Sequence, residues 1–158
     1  MDKNSIVAQI ISRLNADLEL FFSAAKTAHE AATHAENQPD NKYDTLALES
    51  SYLAQGQANR AQELRLAISV YRQLVLPDAG EPVGIGSLVT IEAADGSTKT
   101  LFIGPLAGGM KIVYQGRELM VITPTSPIGR ELMGKEPGDS VEIRTGPRRI
   151  EYEIVEVR

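Results

Sequence analysis

The first stretch of the chain repeats one spacing. Ile6, Ile10, Leu14, Leu18, Phe21, Ala25, Ala28, Ala32 and Ala35 recur in steps of three and four, which puts them on one helical face. Asp2, Asn4 and Ser5 offer capping side chains, so a helix is predicted from about Ser5. A second stripe, Leu46, Leu53, Leu64, Ile68, Tyr71 and Leu74, with Ala47, Ala54, Ala58 and Ala61 among it, predicts another helix ending near Leu76. Between them lies one polar turn, Ala35 to Tyr43, holding Pro39. The pattern is that of a long antiparallel coiled-coil hairpin with a charged tip. A helix of some 30 residues is roughly 45 Å long, and it persists only if its stripe is covered.

The stripe is Ile, Leu and Phe near its start and alanine from Ala24 onward. Small side chains let helices approach closely, and alanine is also the best helix former; both readings fit. Gly56 lies inside the second helix at a cost on the order of 1 kcal/mol. Close approach of the facing helix is the expected reason for it.

From Val83 the period changes to two. GSLVTIEA and STKTLFIG read as strands joined at Asp95-Gly96. MKIVYQ and ELMVITP flank Gln115-Gly116-Arg117 as a further pair. Pro127 to Met133 is a short helix with Ser126 or Thr125 as cap and Gly134 past its end. DSVEIRT and RRIEYEIVEVR form a last pair around Thr145-Gly146-Pro147. The predicted class is α+β: the hairpin at 1–76, a Gly/Pro-rich linker at 77–86, and a small, mostly antiparallel sheet domain with one short helix at 87–158. The linker composition would let the two parts reorient.

Composition narrows the function. At 42% hydrophobic and 23% charged the chain is expected to be soluble and globular. A net charge of −5 argues against direct duplex DNA binding, which needs clustered Lys and Arg. With no cysteine there is no disulfide framework and no thiolate chemistry. No apolar run is long enough to span a membrane, and the MDKNS start does not resemble a signal peptide. The expectation is a cytoplasmic monomer.

Little catalytic chemistry is on offer. His29 and His34 are five residues apart, off a shared helical face, and read as solvated helix residues. Gly84-Ile85-Gly86 precedes a strand, and Gly134-Lys135 lacks a phosphate-loop pattern. The tip is the exception, with Glu36, Asp40 and Asp44 within nine residues. Ionised carboxylates presented together suit a hard cation such as Mg²⁺. Asp40 after Pro39 is equally a good N-cap, and Glu36 a solvated helix end. Acting on a metal, such a tip would have to complete a site on a partner.

The second half resembles the Gre-type bacterial transcript cleavage and elongation factors. Val83, Ile85-Gly86-Ser87 and Val89-Thr90 look like that family's entry strand, and Gly104-Pro105 like its following turn. Ser126-Pro127-Ile128-Gly129-Arg130, Leu132, Gly134-Lys135 and Gly138-Asp139 are similar to its most specific signature, and Glu153-Ile154-Val155 to its closing strand. The resemblance implies an FKBP-like domain after a helical hairpin, and bacterial RNA polymerase as partner. It implies docking through Ser126 and Pro127 and a hairpin entering the secondary channel. There Glu36, Asp40 and Asp44 would help hold Mg²⁺ at the polymerase active site, which then cleaves backtracked RNA. The factor would have no activity of its own and bind no cofactor alone.

The tip departs from the family pattern. Asp40-Asn41 stands for the family's Glu-Asn, but the family's Asp position falls on Asn37, with Glu36 beside it. The same resemblance therefore allows a channel binder that modulates polymerase without stimulating cleavage. A prolyl isomerase would need an aromatic pocket, and the second half offers only Phe102, Tyr114 and Tyr152. A hairpin that merely dimerises would need more apolar surface than one stripe.

Overall fold

A computed structural model gives the architecture; it describes residues 1–36 and 41–158, without the side chains of residues 25, 28 and 32–54. Two long helices, α1 (Lys3–Glu36) and α2 (Asn41–Arg72), precede β1 (Leu88–Ala93), β2 (Thr98–Ile103), β3 (Lys111–Tyr114) and β4 (Arg117–Ile122). A short helix, α3 (Pro127–Leu132), and the strands β5 (Ser140–Thr145) and β6 (Arg148–Val157) complete the chain. The class is α+β, a coiled-coil hairpin followed by a sheet domain. Two compact units are distinguished: Met1–Ile10 with Val70–Arg158, and Ile11–Ser69.

Asp2 starts α1. Its carboxylate accepts from the Asn4 and Ser5 N–H groups and, at 2.6 Å, from the Ser5 hydroxyl. These bonds, led by that hydroxyl, hold the carboxyl below its usual 3.8. At the other end, α2 stops at Arg72, four residues before Leu76. The turn closes with Gln73 and Leu74 N–H bonded three residues back, and Leu76 precedes Pro77, which disfavours helical backbone there.

In the Ile11–Ser69 unit, Leu14, Ala61, Ala67 and Ile68 are buried. The Arg60 guanidinium lies 5.7 Å from the Phe21 ring centroid, and Arg65 lies 5.2 Å from Phe22. The expected close approach at Gly56 is not observed: a Cβ added there meets no described atom within 4 Å. Ala24 and Ala31 are exposed, so at those two positions alanine serves helix formation rather than close packing.

The other unit is a six-stranded sheet of order β3-β4-β2-β1-β6-β5. Every neighbouring pair is antiparallel except β2 and β4, which run parallel from Thr100↔Leu119 to Ile103↔Ile122. The Gly104–Met110 connection carries the chain past the neighbouring lane, so β3 returns at the edge and β4 takes the place beside β2. Val89, Ile91, Leu101, Ile103, Tyr152 and Ile154 form a core on one face together with Leu132 of α3. Leu88 and Phe102 alternate with these, so they point to the opposite face.

Residues 77–86, expected as a linker, lie inside this unit. Val83 is buried, and its backbone exchanges 2.8 Å bonds with Gly134 and Lys135. Gly86 has φ +92, and a Cβ there would stand 2.8 Å from Pro77 Cδ. Lys3 Nζ donates to the Pro77 carbonyl; burial lowers the ammonium's pKa, with Asp78 and Glu81 opposing. Glycine and proline here serve close approach and turning rather than slack.

Candidate functional site

The acidic tip falls largely outside the described residues. Glu36 ends α1 and Asp44 lies in the first turn of α2. Asp40, and the side chains of Glu36 and Asp44, are outside. Among the described residues no cluster of His, Asp or Glu is placed to hold a metal, and no helix is long and apolar enough to cross a membrane.

The Ser126–Pro127 turn is described in full. Ser126 is the N-cap of α3, with φ −67 and ψ 155. Its hydroxyl donates to the Thr123 carbonyl at 2.8 Å and accepts from the Gly129 N–H at 3.0 Å. Its own N–H also points to the Thr123 carbonyl, at 3.1 Å. Pro127 follows at the first helical position, where a missing N–H costs nothing. The Thr123 and Thr125 hydroxyls are 3.2 Å apart, which ties the end of β4 to the turn.

Three further residues of the signature, Gly129, Leu132 and Gly134, have a structural reason. A Cβ on Gly129 would overlap the Thr123 carbonyl oxygen and stand 2.8 Å from Ser126 Oγ. Leu132 is fully buried under the sheet. Gly134 adopts φ +76 just past the helix, a conformation that favours glycine. Its N–H bonds Val83, returning the chain to the sheet. Exposed at the turn are Pro127 and Arg130, with Thr125 and Glu131 beside them. Ser126 shapes this surface, since its hydroxyl proton is already committed to Thr123. The arrangement suits recognition by shape and charge rather than bond-making chemistry.

A second feature was not legible as a site. Tyr71 is buried at the end of α2, and its hydroxyl donates to the Leu106 carbonyl at 2.7 Å. Burial raises the phenol's pKa, keeping it a donor. Gly104 makes the room: a Cβ there would overlap that hydroxyl and stand 2.8 Å from Val121 Cγ1. The only signal in the sequence is a glycine that ends a strand pattern at the Gly104-Pro105 turn. On the sheet, Thr90, Thr98, Thr100 and Arg117 line a polar cleft of about 550 Å³, with the Arg158–Glu156 ion pair at 2.7 Å on its rim.

Residues 78–158 match the family model described as transcription elongation factor, GreA/GreB, C-terminal. The transcription elongation factor GreA of Legionella pneumophila (strain Corby) is 32% identical over 136 residues, covering 81% of this chain and 76% of the relative. That of Mesorhizobium japonicum is 30% identical over 130 residues, covering 82% and 77%. Among solved structures, the GreA factor homolog 1 (Gfh1) protein of Thermus thermophilus aligns at 21% identity with a TM-score of 0.39, covering 94% of each chain.

Proposed function

As the chain belongs to the GreA/GreB family of transcription elongation factors, we propose that it binds bacterial RNA polymerase and stimulates cleavage of backtracked RNA. The Ser126–Pro127 turn docks on the polymerase, and the hairpin enters the secondary channel. The observation carrying this reading is the capped turn, which presents Pro127 and Arg130 outward from within the family-matched region.

The donor set at the tip is Glu36, Asp40 and Asp44, hard carboxylate oxygens that fit Mg²⁺. Held jointly with polymerase ligands, the ion would activate water for phosphodiester attack. The residues of this chain hold and orient; hydrolysis belongs to the polymerase. On this reading the protein is not an enzyme and holds no metal alone.

A second reading rests on one residue. Asn37 stands where the family carries an aspartate, and an amide is a weaker cation ligand than a carboxylate. The protein would then occupy the channel and modulate polymerase without cleavage.

The test is RNA length in a purified backtracked elongation complex, with and without this protein, over a range of Mg²⁺ concentrations. Faster shortening supports the first reading. Competition with a GreA factor for polymerase, without shortening, supports the second. Failure to bind polymerase sinks both.

A further inference from the structure

The Gly104–Met110 connection is bonded to β4 at both ends. Gly104 N–H donates to Ile122 and Gly109 N–H to Val121, each at 2.8 Å. Between these anchors Ala107 takes φ 61, a left-handed conformation that a side chain disfavours. Such a conformation persists only if its surroundings hold it. Among the described residues one side chain hydrogen-bonds to this span, the Tyr71 hydroxyl on the Leu106 carbonyl.

The far side of the span lies against the start of the Ser126–Pro127 turn. A Cβ on Gly108 would stand 3.2 Å from Thr123 Cγ2 and 3.7 Å from its nitrogen. Thr123 is the residue whose carbonyl receives both the hydroxyl and the N–H of Ser126. Tyr71, Leu106, Ala107, Gly108, Thr123 and Ser126 thus form one continuous line of contacts within a single compact unit.

We propose that Tyr71 is a positioning residue for the polymerase-docking turn. By fixing the Leu106 carbonyl it holds the strained span against Thr123, and Thr123 sets where Ser126 places Pro127. The inference rests on the docking reading above. Tyr71→Phe removes one hydroxyl and keeps the buried ring. Ala107 then loses its restraint, and Gly108 withdraws from Thr123.

Two measurements on the full chain test this. Amide hydrogen exchange on free Tyr71→Phe is expected to quicken at Gly109 and Gly129, whose N–H groups bond Val121 and Ser126, while β1 and β6 keep their rates. Affinity for purified core RNA polymerase is expected to fall about fivefold, the worth of one hydrogen bond. Adding Ala107→Gly restores affinity, because glycine adopts the left-handed backbone without strain. Unchanged exchange at Gly129, unchanged affinity, or no recovery with Ala107→Gly overturns the proposal and leaves the docking reading standing. Uniformly faster exchange through β1 and β6 also overturns it, since the effect would then be general stability. If the unaltered chain does not bind polymerase, the docking reading falls and takes this proposal with it.

Discussion

Gly129 sits so close to Thr123 that a Cβ would overlap the Thr123 carbonyl oxygen and approach its carbonyl carbon to 2.9 Å. The obstacle is backbone, which cannot swing aside as a side-chain tip can. Gly129→Ala is therefore expected to cost about 3 kcal/mol and to displace the turn. Denaturant unfolding measures the loss; a cost below about 1 kcal/mol would show that the turn yields freely.

Gly56 predicts the opposite sign. It is helical and exposed, with nothing described within 4 Å of an added Cβ. Gly56→Ala should stabilise the chain by about 0.5 to 1 kcal/mol, through helix propensity alone. A lowered melting temperature would show that the added methyl meets a close neighbour in the folded chain.

Recognition and chemistry should separate by mutation. Arg130 is exposed at the turn, so Arg130→Glu is expected to weaken polymerase binding about tenfold at unchanged stability. The pair Glu36→Gln and Asp40→Asn should leave binding intact and remove RNA shortening. Normal shortening by that double variant would end the assignment of the tip acids.

Acid should loosen the β1–β2 turn. Asp95 accepts from the Ser97 hydroxyl at 2.6 Å and from its N–H at 2.9 Å. The bond from that hydroxyl is the main reason its carboxyl lies below the usual 3.8. A carboxyl with a lower pKa folded than unfolded contributes stability above about pH 4, and loses it as pH falls through the folded value. Denaturant midpoints across acid pH should show this slope, and Asp95→Asn should reduce it.

Much of this was readable in the sequence, wherever the signal is local. The Ile6, Ile10, Leu14 stripe marks a helix because burial repeats with the helical period. Asp95-Gly96 and Gln115-Gly116 mark hairpins because few residues adopt their backbone. Ser126 as cap follows from its place before Pro127. The parallel β2–β4 seam was not readable, since strand order is decided by contacts distant in sequence. Tyr71 looked like one more member of a hydrophobic stripe, because its hydroxyl's partner is 35 residues away. Residues 77–86 carried the composition of a flexible link, yet Gly86 is glycine because Pro77 packs against it.

The unit built on the sheet is interrupted in sequence: residues 1–10 belong with residues 70–158. Closing an unstructured loop of some sixty residues would cost roughly 4 kcal/mol in entropy. The intervening chain is instead two helices that fold back on themselves, and helices form within microseconds from neighbouring residues. The hairpin is therefore expected to bring residues 1–10 together with residues 70–158 early in folding, ahead of the slower strand pairing. A helix-breaking proline at Gln62 should slow refolding of the sheet while leaving its final register unchanged. The helical hairpin would on this account also be the shortcut by which two stretches far apart in sequence become one unit.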